Sequence, residues 1–360
     1  MEESFLVKKN KQEEEKKKKK GLLFVLGKRI KSGRFALLLV AFLFTLVGLS
    51  MSTYAWFTSN FTVSVQQIDV NVSSGSGIQI STNASDWKSI ITLDDITTNK
   101  YSGAVNQVPG STSQINPVST VASAFENATT PSQGLKMFRG TIVNDVTDGT
   151  MYLDTDQQTD SNSGGDYVAF DLFLKLDFAT DKQVYLTGTT GITAGSPNTF
   201  IEYAGRMGFV VNGHTSSSDT VANMTGLKGA TNVIIYEPNY DVHTANGLAN
   251  GRDNYGISGY SATGNATAVP YYGVISEFEY DGEHSNTGTP LNSTANTKFA
   301  AVTPAIQTTS ANENRTAFLT LSPGVTKIRV YMWIEGQDID CENTASGGQV
   351  VFKLGFTVDE

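Results

Sequence analysis

The chain of 360 residues is long enough for one or two domains, and its formal charge of −9 is unevenly spread. Residues 1–55 hold 12 Lys/Arg against 5 Asp/Glu, leaving 14 against 30 for residues 56–360; an acidic body without a basic stripe excludes nucleic acid as a partner. A single cysteine, Cys341, excludes an intrachain disulfide, and the histidines His214, His243 and His284 lack the short spacings of zinc ligands, so no His-based metal site is expected.

From the N-terminus, basic residues run from Lys8 through the cluster Lys16–Lys20 to Arg34, and no charge follows until Asp69. The positive-inside rule then makes residues 1–34 a basic cytoplasmic leader and puts everything after residue 56 outside the cell. The short apolar run at 21–27 fits the inner membrane surface. Residues 35–55 form an apolar helix that is either a signal-peptide core or a transmembrane anchor. Thr53 and Ala55 meet the small-residue demand of signal peptidase, with Trp56 as the first mature residue, whereas the charge-free stretch Phe35–Phe57 is also long enough to stay as an anchor. The expected partners are signal peptidase, the Sec export machinery and the membrane, and the expected location is extracellular or cell surface.

The body, 56–360, alternates with period 2 and reads as an all-β antiparallel sandwich. In Phe61–Val72 the apolar phase shifts from Phe61, Val63 and Val65 to Ile68, Val70 and Val72, so a bulge at Gln66-Gln67 is predicted. Ile78 and Ile80 continue the pattern, followed by a turn at Asn83–Trp87 and the pair Ile90-Ile91. The clearest strand puts Val168, Phe170, Leu172, Leu174, Leu176 and Phe178 on one face and Asp171, Lys175 and Asp177 on the other. Two more strands follow from Ile328, Val330, Met332 and Ile334, and from Val350, Phe352, Leu354, Phe356 and Val358. Weaker strands are expected at Val184–Leu186, Met207–Val211, Val233–Tyr236, Val274–Phe278 and Phe318–Leu321. Between them, residues 99–165, 188–200, 212–231 and 237–317 read as long loop insertions, the last being the largest, with short helices at Val121–Asn127 and Val242–Asn250.

Little in the chain points to catalysis. There is no nucleophile elbow, and Ser85 and Lys88 match an S-x-x-K string only within a turn. The segment from Asp145 to Asp166 carries Asp145, Asp148, Asp154, Asp156, Asp160 and Asp166; it reads as a solvated acidic loop, with Asp154, Asp156 and Asp160 as weak calcium ligands. The acidic clusters Glu277–Glu283 and Glu335–Glu342 read as solvated loops too. No enzyme activity and no other cofactor are expected.

The junction STYAWFTSNFTVSVQQIDVNV joins a basic leader, an apolar core and an aromatic cleavage zone directly to a strand. It resembles the segment processed by SipW-type signal peptidases in the TasA and camelysin matrix-fibre proteins of Firmicutes, and YVAFDLFLKLDF, AGRMGF, KIRVYMWIEGQDIDC and VVFKLGF are similar to segments of related surface proteins. The resemblance implies an extracellular jelly-roll-like sandwich of a structural surface or biofilm-matrix protein. It also implies self-assembly by donor-strand addition, with Phe61, Val63, Val65, Ile68, Val70 and Val72 as the donor strand; pairing of that strand within its own domain is the alternative. A second reading of the body is an anchored binding module for a glycan or protein ligand, built on Tyr236, Tyr240, Tyr255, Tyr260, Tyr271 and Tyr272.

Overall fold

The computed structural model is mostly β-strand, as the period-2 runs require, and describes residues 63–72, 77–108, 114–120, 134–144, 151–158, 160, 165–196, 198–229, 232–239, 242–248, 271–274, 299–302, 306–307, 317–342 and 345–358. The chain divides after Ser52 into two units, and the described residues all belong to the second. The leader, the apolar segment, Thr53, Ala55, Trp56 and Phe61 lie outside them. Among the described residues no helix is long and apolar enough to cross a membrane.

In chain order the strands are β1 (Val63–Val72), β2 (Ile78–Ser81), β3 (Ile90–Ile91), β4 (Asn106–Gln107), β5 (Gln114–Ile115), β6 (Met137–Asn144), β7 (Met151–Gln158), β8 (Val168–Leu176), β9 (Lys182–Leu186), β10 (Gly191–Ala194), β11 (Gly205–Thr215), β12 (Asn232–Glu237), β13 (Tyr271–Val274), β14 (Phe299–Val302), β15 (Ile306–Gln307), β16 (Ala317–Leu321), β17 (Gly324–Ile334) and β18 (Gln349–Val358). Two seven-stranded sheets carry the fold. The first runs β16-β9-β18-β1-β3, with β10 beside β18 and β5 beside β1; the second runs β15-β12-β11-β17-β8-β2, with β4 beside β8.

Their inner faces share one core. Val63, Val65, Ile68, Val70 and Val72 of β1 and the alternate residues Val350 to Val358 of β18 pack against Val168, Phe170, Leu172, Leu174 and Leu176 of β8 and Ile328, Val330, Met332 and Ile334 of β17. The predicted bulge is present: the β1–β18 register slips between Val65 and Gln67, which keeps both halves of β1 facing the core while Gln66 and Gln67 stay exposed. β1 pairs parallel with β18 from Ser64 to Val72, and on its other edge, among the described residues, meets the two-residue strands β5 and β3.

The second sheet departs from the expected sandwich in having no solvent face at its centre. Every residue of β17 is buried, as are Ala169, Asp171 and Phe173 of β8. The outer face is covered by Val118, Leu135, Met137 and Tyr167, which cluster with Tyr331 and Trp333, and by Met224, which joins Phe173 and Val325. Gly208 leaves space for this cover, since a Cβ there would come within 2.7 Å of Leu135 Cδ1 and 3.1 Å of the Trp333 ring. Much of the cover comes from segments read as loops.

Several local expectations need correction. The segment 99–165 contains β4 to β7, and the acidic stretch forms β7, paired with β6 from Met137↔Gln158 to Asn144↔Met151. Residues 188–200 contain β10, and 237–317 contains β13 to β15. Phe178 falls beyond the end of β8, with its ring against Gly77 and Lys182 Nζ 4.8 Å from its centroid, and is not a core residue. The stretch 212–231 holds a helix at Val221–Thr225, capped by Thr220, and residues 245–248 form one helical turn within the predicted Val242–Asn250 helix. The turn at Asn83–Trp87 forms as expected: Asn83 Oδ1 accepts the backbone N–H groups of Ser85 and Asp86 at 2.9 and 2.8 Å. Lys88 pairs with Asp95, the capping-box residue of the helix Leu93–Thr97, so the S-x-x-K string has a structural use. Val121–Asn127 and Val274–Phe278 beyond Val274 lie outside the described residues.

Phe352 sits at the centre of the shared core with 0% exposure. Phe352→Ala is expected to cost about 3–5 kcal/mol of folding stability, read from the shift in urea midpoint at unchanged m-value.

Candidate functional site

Burying β17 on both faces forces its outward charged residues to find partners inside the protein. Arg329 lies directly opposite Asp171 on β8 and donates from Nε to Asp171 Oδ1 at 2.7 Å, while its Nη1 meets Asp160 Oδ2 at 3.0 Å. Lys327 Nζ is 3.5 Å from Asp171 Oδ2 and donates to Tyr101 Oη at 2.9 Å and to the carbonyls of Thr225 and Leu227 at 2.9 and 3.1 Å. Tyr101 donates in turn to Asp171. Burial alone would raise Asp171; Arg329 first, then Lys327 and Tyr101, hold it below the ordinary carboxylate value. Burial pulls Lys327 down, against the opposing pull of Asp171.

This network also accounts for one expected calcium ligand. Asp160 accepts from Arg329 and from the hydroxyls of Tyr331 and Tyr167, at 2.7 and 2.9 Å, so both its oxygens are engaged by the sheet. Asp156 is an exposed residue of β7 opposite Arg139, and Asp154 lies two positions earlier on that strand. Asp160 is thus taken up by the second sheet, while the side chain of Asp154 lies outside the described residues. Asp166 is buried and is held by Asn116 and, at 3.5 Å, by Arg139. Asp145, Asp148 and the cluster Glu277–Glu283 lie outside the described residues.

The second cluster closes the far end of β17. Arg206, the second residue of β11, is fully buried and joins Glu237 at the end of β12 (2.5 Å) to Asp338 in the β17–β18 connection. That connection begins with Glu335–Glu342, read from sequence as a solvated acidic loop; Glu335, Asp338 and Asp340 are instead 0, 6 and 2% exposed. Glu335 accepts the Trp333 indole N–H and the Gln337 backbone N–H, both at 3.1 Å, and burial pushes its carboxyl up to about 7. Asp338 Oδ1 accepts the Asp340 N–H at 2.8 Å. Asp340 accepts the Thr244 N–H at 2.8 Å and faces His243 Nδ1 at 2.6 Å, which anchors the segment 242–248 to the turn. Gly247 is required here, because a Cβ would come within 2.4 Å of Asp340 Oδ1.

Electrostatics at this end are acidic. Burial raises Asp340 against the pull of His243, and raises Glu202, to which the charge of Asp340 adds. Burial pulls His243 down, but Asp340 outweighs it and the imidazole is raised. Cys341 is packed in the core, and burial together with the surrounding carboxylates holds its thiol well above the usual value, so it is no reactive nucleophile. Two non-glycine residues with positive φ, Phe200 at 64° and Asn239 at 60°, lie two positions from Glu202 and Glu237 of this cluster. Backbone strain of this kind concentrates at sites that do something beyond folding.

His243, Asp338 and Asp340, which the sequence does not bring together, form a compact His/Asp/Asp group. Local spacing rules miss it because the imidazole and the carboxylates are about a hundred residues apart and meet only through the fold. The one signal available was the Asp338-Ile339-Asp340 pair, whose two carboxylates were read as solvated. Of the six tyrosines offered as a ligand surface, Tyr236 is in the core; the side chains of Tyr240, Tyr255, Tyr260, Tyr271 and Tyr272 lie outside the described residues. No family model, no curated protein and no solved structure matches the chain.

The buried Asp171–Arg329 pair gives a test of both charge and pH. Breaking one side, as in Arg329→Met, is expected to cost about 3–5 kcal/mol, and Arg329→Met with Asp171→Leu should cost less than the sum of the two single changes while still exceeding either, because Lys327 also loses its carboxylate. Because Asp171 titrates below its unfolded value of about 3.9, its contribution is present above that pH and lost as pH falls through the lower folded value. Asp171→Asn should therefore flatten the loss of stability on acidification below pH ~4, measured by denaturant melts across pH.

Proposed function

We propose that the chain is an exported, non-enzymatic structural protein of the cell surface or extracellular matrix, with a jelly-roll-like body that assembles by donor-strand addition. The basic leader and the apolar segment at 35–55 support export, with signal peptidase and the Sec machinery as transient partners. The observation that carries the assembly reading is the position of β1. It follows the leader, pairs in parallel with β18 from Gln349 to Phe356, and sends Val63, Val65, Ile68, Val70 and Val72 into the core.

A strand of this kind supplies main-chain hydrogen bonds along one edge and apolar side chains to the core. The same contacts form whether it comes from its own chain or from a neighbour's. Burying each Val or Ile contributes roughly 1.5–3 kcal/mol, so the slot left by β1 cannot stay empty, and exchange between copies links subunits without new surface. The short partners β3 and β5 leave β1 one long strand-to-strand contact to break. The alternative of an anchored binding module draws on the strained, exposed Phe200 beside the acidic end.

The test compares the full chain, a variant lacking residues 56–72, and Val63→Asp with Val65→Asp. Expected are fibres from the full chain in electron microscopy, none from the double variant, and rescue of the truncated chain's folding by a synthetic peptide of residues 61–72. A full chain that stays monomeric at all concentrations, with a truncated chain indifferent to the peptide, overturns the reading.

A further inference from the structure

At one point of the β1–β18 ladder the two strands advance unequally. From Val65 to Gln67 β1 moves on by two residues, while β18 moves on by one, from Val350 to Val351. Gln66 is the extra residue, and a bulge of this kind is rare between parallel strands. It is not needed to aim the side chains. With one glutamine of the pair removed, β1 becomes an unbroken alternation: Val63, Val65, Ile68, Val70 and Val72 all keep their buried face, and every pair with β18 keeps its partner.

The extra residue is nonetheless built into its surroundings. Gly195, next after β10, donates its N–H to the Gln349 carbonyl at 2.6 Å. A Cβ on Gly195 would come within 2.7 Å of Gln66 Oε1 and 2.6 Å of Gln349 Cβ, so the side chain of the extra residue lies against a position that carries none. The effect of the bulge is to divide the ladder. On its N-terminal side stand the pairs Ser64↔Gln349 and Val65↔Val350; on its C-terminal side the pairing runs without a break from Gln67↔Val351 to Val72↔Phe356. Beside the short part, the buried Gln349 Oε1 has no hydrogen-bond partner. A ladder interrupted so near its end opens there first, because the short part separates without disturbing the long one.

We propose that Gln66 is a release device: by splitting the ladder it lets the Val63–Val65 part of β1 leave β18 first and opens that end of the slot to the β1 of a second copy of this chain. This inference rests on the assembly reading and names what regulates it. An entering strand of identical sequence meets the same slot, so each pair it gains replaces one that the resident strand gives up, and exchange runs on once the first pairs have opened.

The test uses the full chain purified in detergent, alone and with two changes at the pair Gln66-Gln67: one glutamine deleted, or a third inserted. Hydrogen exchange of the unaltered chain is expected to show the amides of residues 63–65 at least about tenfold less protected than those of residues 68–72. Deletion should bring the two parts level by raising the first, and should slow the appearance of fibres, followed by light scattering, at least about tenfold; insertion should do the reverse. A deletion that merely damaged the fold would lower protection, so the expected rise is specific. Equal protection on both sides of the bulge in the unaltered chain, or no rise on deletion, overturns the proposal. Fibres that form equally fast with and without the extra residue overturn it and leave the assembly reading standing, whereas an unaltered chain that forms none overturns both.

Discussion

The constraint on which the rest depends is that β17 has no face turned to water. A strand covered on both sides would ordinarily be apolar throughout, yet this one carries Lys327 and Arg329 on its outward face, 3 and 6% exposed. Those charges are tolerable only because Asp171 stands opposite on β8 and because Tyr101, Thr225, Leu227 and Asp160 supply the remaining hydrogen-bond partners. The cover layer is thus not decoration on a two-sheet body. It contributes the partners without which the second sheet could not hold its own sequence.

The same logic runs to the end of the strand. Where β17 gives way to the connection, burial continues over Glu335, Asp338 and Asp340, and the cation comes from β11 as Arg206 while the imidazole comes from the segment 242–248. Two polar clusters on one face therefore differ in kind. Around Asp171 the opposite charges are matched and the carboxylate is held below its ordinary range; around Asp340 the carboxylates outnumber the cations, and burial raises Asp340, Glu202 and Glu335. The first holds the cover layer to the second sheet, and the second ties the segment 242–248 and β11 to the β17–β18 connection. Positive-φ Phe200 and Asn239 sit beside the second.

The inner faces were legible in the sequence because alternation with period 2 is set by backbone geometry. The runs in β8, β17 and β18 placed their core residues correctly, and the phase change at Gln66-Gln67 marked a bulge that the register contains. The outer face was not legible, since Asp171, Lys327 and Arg329 look in sequence like solvent-facing positions, and only the partner strand shows that they neutralise one another. The hairpin β6–β7 was missed although Asp148-Gly149, a strong turn dipeptide, falls between its strands; its polar composition drew attention to chelation instead. The His243 cluster depended wholly on tertiary contact, and no spacing rule reaches across that distance.

Hydrogen exchange of the full chain tests the central claim most directly. If the cover layer seals the second sheet, amides of β17 and β8 exchange only through global unfolding, as slowly as those of β18. If β17 and β8 exchange at the rate of the edge strands while β18 stays protected, the outer face opens to water and the account of its buried charges is wrong.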